Sequence, residues 1–362
     1  MNKCLVTRLS GVVNNTSLFK LGEMRIKVEK VKTPNSATQG FTFSFNKQAT
    51  LSILGDGYFT DAKLTGNLGK EMQVEPNTST NIYVSNNDIT LCISDKYSIV
   101  NFNNHGGNST LATQSDLSNK AIDLEQFKYS KSIEYIDFVK ASVVGDLSAL
   151  SECTLLKSFN AYSTPLTGEI SALKKMTALI GIALSNTQVN GDIRALKDLV
   201  SLQSAKIISS ESINGDIESL KKLASLTTLT IGSTNGLITG DIANLGNMSK
   251  LSELNLTPIK LTGDLAILPA VCRFISFKES KGASFTWGTR PSSSKIIAIA
   301  GVVPISNIDK MLQDQAQCQV GFTSSDATYY KTIAVTGTRT SASDDAVQAL
   351  QAKGYTVSVY SA

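Results

Sequence analysis

The chain has 362 residues, 41% hydrophobic and 18% charged, and Lys plus Arg (34) exceed Asp plus Glu (30) by only four. That balance supports a buried core and excludes a polyelectrolyte chain; the basic residues are scattered, as at Lys174 with Lys175, without the interleaved aromatics of a single-strand nucleic-acid binder. Five cysteines (Cys4, Cys92, Cys153, Cys272, Cys318) stand far apart with no CxxC pair, which predicts free thiols, no disulfide framework and no zinc site.

The first ten residues lack the apolar run of a signal peptide, because Thr7, Arg8 and Ser10 interrupt it, and nothing elsewhere approaches the apolar length of a transmembrane helix. Cys4 reads as an ordinary thiol. Residues 1 to about 102 read as all-β. Phe41, Phe43 and Phe45 alternate with polar residues, as do Leu51 with Ile53, Ile82 with Val84, and Ile89, Leu91 and Ile93, the period-two pattern of half-buried strands. Residues 103–119, rich in Gly, Ser, Thr and Asn, follow as a linker or first cap.

A repeated Gly-Asp-Ile/Leu-x-x-Leu motif then begins at Gly145, Gly168 (with Glu169 for Asp), Gly191, Gly215, Gly240 and Gly263, with a degenerate copy starting at Ile122. Successive spacings are 23, 23, 23, 24, 25 and 23 residues, which describes a solenoid of about seven coils over residues 122 to about 285. Within one copy, Ile217, Leu220, Leu223, Leu226 and Leu229 recur every three residues, and Ile231 follows at a spacing of two. Period three fits a 3₁₀-like convex segment, not an α-helix, and the change to period two marks entry into a short strand. The Asp caps the convex turn, and the Gly supplies a positive φ or close stacking at the corner. Strands are expected at 135–138, 158–161, 181–184, 204–207, 228–231, 253–256 and 276–277, all in one parallel sheet.

The segments "LKKLASLTTLTIGSTNGLITGDIANL" and "LGNMSKLSELNLTPIKLTGDL" resemble the leucine-rich-repeat pattern LxxLxxLxxLxLxxNxLxGxIP, with Gly-Asp-Ile in place of Gly-x-Ile-Pro. The resemblance covers about 160 residues and implies an α/β leucine-rich-repeat solenoid with a parallel β-sheet, preceded here by a small all-β domain. One position departs from it: the inward Asn is Thr164, Thr187, Ser210 or Ile259, so a hydroxyl replaces the amide at best. The fold hosts many binding partners and does not itself specify one.

After Gly263 the repeat decays, with Trp287-Gly288-Thr289-Arg290-Pro291 breaking the pattern. Strand-like 296–299 and 332–336 continue it, Ser343-Asp344-Asp345 caps a helix over 346–353 closed by Gly354, and 355–360 is a last strand. This tail is expected to cap the open end of the solenoid. The organisation is thus 1–115 as an all-β anchoring or oligomerising domain, 116–290 as repeats, and 291–362 as degenerate repeats and cap.

No catalytic motif stands out: Gly-x-Ser-x-Gly, His-Glu-x-x-His, P-loop and dinucleotide fingerprints are missing, and the single histidine, His105, reads as a loop residue. One repeated Asp per 23 residues supplies too few oxygens for calcium. No enzyme activity, cofactor or metal is expected. The surface that remains is the concave sheet, with outward rows Tyr135, Asp137, Val139; Ser158, Asn160, Tyr162; Gly181, Ala183, Ser185; Ser204, Lys206, Ile208; Thr228, Thr230, Gly232; Glu253, Asn255, Thr257; and Ser276, Lys278, Ser280. From these, Tyr135, Asp137, Asn160, Tyr162, Lys206, Glu253 and Asn255 are the candidate contacts for a peptide, protein or glycan, with Tyr135 and Tyr162 the aromatics of the face.

The opening "MNKCLVTRLSGVVNNTSLFKLGEMRIKV" resembles the N-terminal β-domains of virion proteins from phages of gut Bacteroidetes, crAss-like phages among them. That resemblance implies a head or tail fibre or decoration protein made in a host cytoplasm, homo-oligomeric through residues 1–115. Its partners would be other virion proteins or a host-surface protein or glycan, with no nucleic acid bound and no membrane inserted. The alternative is a bacterial cytoplasmic leucine-rich-repeat binding protein unrelated to phage.

Overall fold

The computed structural model describes residues 122–128, 130–138, 143–209, 211–278, 282–322 and 331–361, together with the backbone of strands between residues 24 and 105. Each coil repeats three pieces: a concave strand, a short strand at the Gly corner, and a convex 3₁₀ turn. The concave strands Tyr135–Asp137, Ser158–Asn160, Gly181–Thr187, Ser204–Ser209, Thr228–Ser233, Glu253–Thr257 and Phe274–Phe277 pair with their neighbours in parallel, as the repeat spacing predicts. Residues two apart share a face, so Leu229 and Ile231 enter the core while Thr228 and Thr230 face out.

The convex side is 3₁₀ in every repeat from Leu124–Phe127 to Leu265–Ile267, which is what apolar residues at a spacing of three require. Asp123, Asp146, Asp192, Asp216, Asp241 and Asp264 each cap their turn by accepting the N–H two residues on, at 2.7 to 3.0 Å. Glu169, one methylene longer, makes no such bond and instead accepts from Ser171 Oγ at 2.9 Å. Each repeat Gly from Gly145 to Gly263 has a positive φ, between 99° and 127°.

A second parallel sheet, not foreseen from the sequence, runs along the Gly corner: Gly191–Asp192, Ile213–Asp216, Ile238–Asp241, Ile259–Asp264 and Ser284–Thr286. Between the two sheets and the convex turns lies one continuous core. Phe127, Phe138 and Phe159 meet edge to face at one end of the coil, and Phe277 stacks on Phe285 at the other, with centroids 5.5 Å apart. The inward hydroxyls bond backbone in place of the usual amide: Thr164 Oγ1 donates to Ala161 O and Thr187 Oγ1 to Leu184 O. In the next coil Ser209 takes this role, donating to Thr187 O or Val189 O, whereas Ser210 lies outside the described residues.

The coil continues past the point where the motif decays. Ser284–Thr286 pairs with Thr262–Asp264, and Gly288 packs on Asp264 as most repeat glycines pack on the Asp before them, though without their positive φ and with its N–H donating to Asp264 Oδ1 at 2.7 Å. Arg290 follows two residues on, where Ile or Leu stands after the Gly in earlier repeats. Its buried guanidinium donates to the carbonyls of Leu268 (2.9 Å), Pro269 (3.1 Å), Cys272 (3.2 Å), Lys295 (3.1 Å) and Ala266 (3.4 Å), tying off the last 3₁₀ turn.

Strands Ala298–Pro304, Thr332–Thr336 and Thr356–Tyr360 then extend the concave sheet in parallel, and two α-helices, Ile308–Gln317 and Asp344–Ala352, replace the 3₁₀ turns. The second helix was anticipated from its cap; the first was not, although Ile308, Met311, Leu312, Gln315 and Ala316 bury a face at helical spacing. Gln315 straps that helix to the sheet, accepting from Ile297 N–H at 2.7 Å and donating to Ile297 O at 3.1 Å.

At the other end, strand Ile99–His105 lies parallel to Tyr135–Asp137 and antiparallel to Gln39–Phe45, joining the strands before residue 106 to the concave sheet. His105 therefore ends a strand. The linker expected at 103–119 thus begins inside this strand, and its remainder from 106 lies outside the described residues; of the phage-like opening at 1–28 only the strand Met24–Val28 is described, so Cys4 lies outside as well.

A candidate binding face on the concave sheet

The strand register sorts the outward side chains into rows. One row reads Tyr135, Ser158, Gly181, Ser204, Thr228, Glu253, Phe274; the next reads Asp137, Asn160, Ala183, Lys206, Thr230, Asn255, Ser276. Past the end of strand Ser158–Asn160, the bonds Ala161 N–H to Ala183 O and Ser163 N–H to Ser185 O carry the register on, so Tyr162 stands beside Ser185, which in turn pairs with Ile208, then Gly232 and Thr257. Four of the seven candidate residues, Asp137, Asn160, Lys206 and Asn255, thus share the middle row.

The two tyrosines do not adjoin. They stand on neighbouring strands at opposite ends, four positions or about 13 Å apart along the strand, with the Asp137 and Asn160 pair between them. Tyr135 lies beneath Lys157, whose Nζ is 5.9 Å from the ring centroid and bonded to Glu134 at 2.6 Å. That carboxylate, with the tyrosine as a lesser contribution, holds the Lys157 ammonium above its ordinary range.

The last outward row needs correction. Expected as Ser276, Lys278 and Ser280, it begins two residues earlier: Phe274 pairs with Glu253 and Ser276 with Asn255, while Ser280 lies outside the described residues. Phe274 and Ser276 are buried too, so the open face ends near Glu253 and Asn255. Arg273 marks the border. Its guanidinium bonds Glu253 Oε1 at 2.7 Å, lies 4.7 Å from the Phe322 ring centroid and reaches Gly321 O at 3.5 Å. Glu253 is therefore half of an ion pair at the rim.

Lys206, by contrast, is exposed, and no hydrogen bond or ion pair engages it among the described residues. Asn160 Oδ1 accepts from Tyr162 N–H at 3.2 Å, and its amide N–H groups bond no described residue. Ser185 and Ile208 belong to the same surface but do not stand out in the sequence, because their exposure is set by side chains from adjacent coils. Cys153, Cys272 and Cys318 are buried and free; burial pushes the thiol of Cys153 up to about 12 and that of Cys272 up to about 11. Among the described residues no three His, Cys, Asp or Glu side chains converge to hold a metal. Among them, too, no helix is long and apolar enough to cross a membrane.

No protein-family model and no curated protein matches the chain. Solved structures similar to it include the plant peptide hormone receptor RGFR1 in complex with RGF2, at 14% identity and TM-score 0.38, covering 61% of this chain and 43% of that one. The ectodomain of the receptor kinase GASSHO1/SCHENGEN3 from Arabidopsis thaliana is 18% identical with TM-score 0.40, covering 67% and 34%. Internalin C2 from Listeria monocytogenes is 21% identical with TM-score 0.29, covering 43% and 79%. The chain spans less than half the length of the two plant receptors. The fold assignment rests on the chain's own geometry, in which parallel concave strands, capped 3₁₀ turns and Gly corners recur every 23 to 25 residues. Residues 122 to about 290 form a leucine-rich-repeat solenoid.

Proposed function

We propose that this chain is a non-enzymatic recognition protein whose concave sheet contacts a partner. The observation that carries the reading is the middle row from Asp137 through Asn160 and Lys206 to Asn255, fixed in register on a parallel sheet between Tyr135 and the Arg273–Glu253 rim, with Asp137, Asn160 and Asn255 half-buried and Lys206 exposed. Such a row presents polar groups at a fixed pitch, which favours specific over nonspecific contact.

The setting we propose is a phage particle, as a head or tail fibre or decoration protein made in the host cytoplasm, and what supports it is the likeness of residues 1–28 to virion β-domains. Residues 1 to about 115 would anchor and oligomerise the protein on other virion proteins, with residues 116–290 facing a host-surface protein or glycan and residues 291–362 closing the far end. Antibody against the full chain should then decorate purified particles from a producing culture, and sedimentation of the purified chain should show an oligomer. A monomer missing from particles would leave the concave-face reading standing and replace the virion setting with a bacterial binding protein. Loss of partner binding in the Tyr135→Ala/Tyr162→Ala variant, with assembly unchanged, is the expected signature of a concave contact.

A further inference from the structure

The strand Gly181–Thr187 presents Gly181, Ala183 and Ser185 to the concave side, a low floor between taller neighbours on both flanks. Strands are about 4.8 Å apart, so the flanking strands stand about 10 Å from each other, and the floor forms a trough running along the strand direction. Its walls are Asn160 and Tyr162 on one side, Lys206 and Ile208 on the other. Small residues alone make no site. Here Ser185 is only 7% exposed, yet its hydroxyl makes no hydrogen bond to any described residue. Set between Tyr162 and Ile208, this hydroxyl stays reachable at the base of the trough and is free to bond a ligand group there.

The polar groups on and beside this floor can all donate, and the carboxylate of the same row, Asp137, stands one strand beyond Asn160. Lys206 can only donate, Asn160 has its acceptor occupied by Tyr162 N–H, and the Ser185 hydroxyl has a free proton. Ala183 lies directly between Asn160 and Lys206 in the register, so donors converge above it. One step along the strand, Tyr162 (40% exposed) and Ile208 (38% exposed) face each other across Ser185, an apolar cleft with a hydroxyl at its base. The two subsites are therefore separated by two residues of a strand, about 6.6 Å, which is also the spacing of side chains i and i+2 in an extended peptide.

We infer that this trough binds an extended peptide segment of the form acidic-x-apolar, its carboxylate held by Lys206 and Asn160 over Ala183 and its apolar side chain seated between Tyr162 and Ile208. The inference rests on the concave-face reading and makes its ligand specific. Charge complementarity selects the carboxylate, and the aliphatic wall of Ile208 selects a peptide side chain over a second polar group.

The test titrates the full chain with acetylated, amidated Ser-Glu-Ser-Leu-Ser and with the same peptide carrying Gln or Lys for Glu, followed by NMR. The Glu peptide should bind at least about tenfold more tightly than the Gln peptide, the size expected of a charge-assisted bond. Lys206→Glu should shift the preference to the Lys peptide, and Ser185→Leu, which fills the cleft, should weaken all three without lowering the melting temperature. Equal affinity for the Glu and Gln peptides, no binding of any peptide at millimolar concentration, or an unchanged preference in Lys206→Glu would each overturn the proposal. So would Lys206-dependent binding of oligogalacturonate in place of peptide, which would make the ligand an acidic glycan. Asn255→Arg, two strands beyond Lys206 on the same face, separates the two readings. Peptide binding lost in Asn255→Arg but kept in Lys206→Glu moves the contact along the sheet and sinks only the trough, whereas binding indifferent to both variants sinks the concave face as well.

Discussion

A Cβ built on Gly215 would stand 2.6 Å from Oδ1 of Asp192, the carboxylate that caps the 3₁₀ turn of the preceding coil. Gly and Asp of the repeated motif thus act on each other across the coil boundary: the bare Gly leaves room for the cap beneath it, and its φ of 127° turns the chain into the next convex segment. Gly215→Ala would force both a disfavoured φ and a displaced carboxylate, and should destabilise by about 2 to 4 kcal/mol in urea denaturation. Asp192→Ala removes only the cap and should cost about 1 kcal/mol. An alanine at Gly215 no worse than one at Asp192 would show that the stacking is dispensable.

Leu226 sits in the period-three series and is fully buried among neighbouring coils. Leu226→Ala should cost about 2 to 5 kcal/mol, because neighbours fixed by the sheets on either side cannot collapse into the void. A loss below about 1 kcal/mol would mean that the convex turn relaxes independently of the sheets.

The near-constant spacing made the concave register legible, since Gly145, Gly168, Gly191, Gly215 and Gly240 each precede their strand partner by thirteen positions, ending at Ser158, Gly181, Ser204, Thr228 and Glu253. From Gly263 to Phe274 the interval is eleven, because the turn Leu265–Ile267 is shorter and Pro269 follows it, and the predicted row slipped by two residues there. The second sheet was not legible: its strands are two to six residues long and all but Ser284–Thr286 contain a Gly, so little alternation builds up. The site was legible only as a face. Asn160 and Lys206 follow from strand parity, but the enclosure of Ser185 depends on Tyr162 and Ile208, which arrive from coils 23 residues away in either direction.

Arg290 replaces an aliphatic residue in the core with a guanidinium held by backbone carbonyls and no carboxylate. Removing it strands those acceptors in a buried place, so Arg290→Met should lower stability by about 3 kcal/mol although its volume is similar. Arg290→Lys should recover little, since an ammonium cannot span acceptors arranged around a planar fork. Guanidinium chloride titrations of the three proteins decide the matter; a methionine variant as stable as the parent would show that the carbonyls find other donors.

The buried thiols should be chemically silent. With the Cys153 and Cys272 thiols raised to about 12 and about 11 by burial, almost no thiolate is present at neutral pH. Alkylation of the native protein near neutral pH, read by peptide mass spectrometry, should leave both unmodified, and unfolding in denaturant should expose five reactive groups for the five cysteines of the chain. A shortfall in denaturant that reductant restores would reveal a disulfide.

The cap supplies a prediction in pH. Asp309, in the first turn of helix Ile308–Gln317, accepts from Ser343 Oγ at 2.6 Å and from Thr340 Oγ1 at 2.7 Å and N–H at 3.1 Å, so its carboxylate docks the segment that begins helix Asp344–Ala352. These bonds, the Ser343 hydroxyl first, favour the charged form and lower its pKa from the ordinary Asp value. The sign follows from linkage: a carboxylate whose pKa is lower folded than unfolded contributes stability above its unfolded value, near pH 4, and that contribution fades as pH falls through the folded value. Asp309→Asn keeps the shape and removes the titration. Its urea midpoint should therefore lie below that of the parent at neutral pH, and the gap should narrow as the solution is taken below about pH 4, closing once both proteins carry a neutral group there. A gap of constant width across that range would mean that Asp309 docks the second helix by shape alone, without its charge.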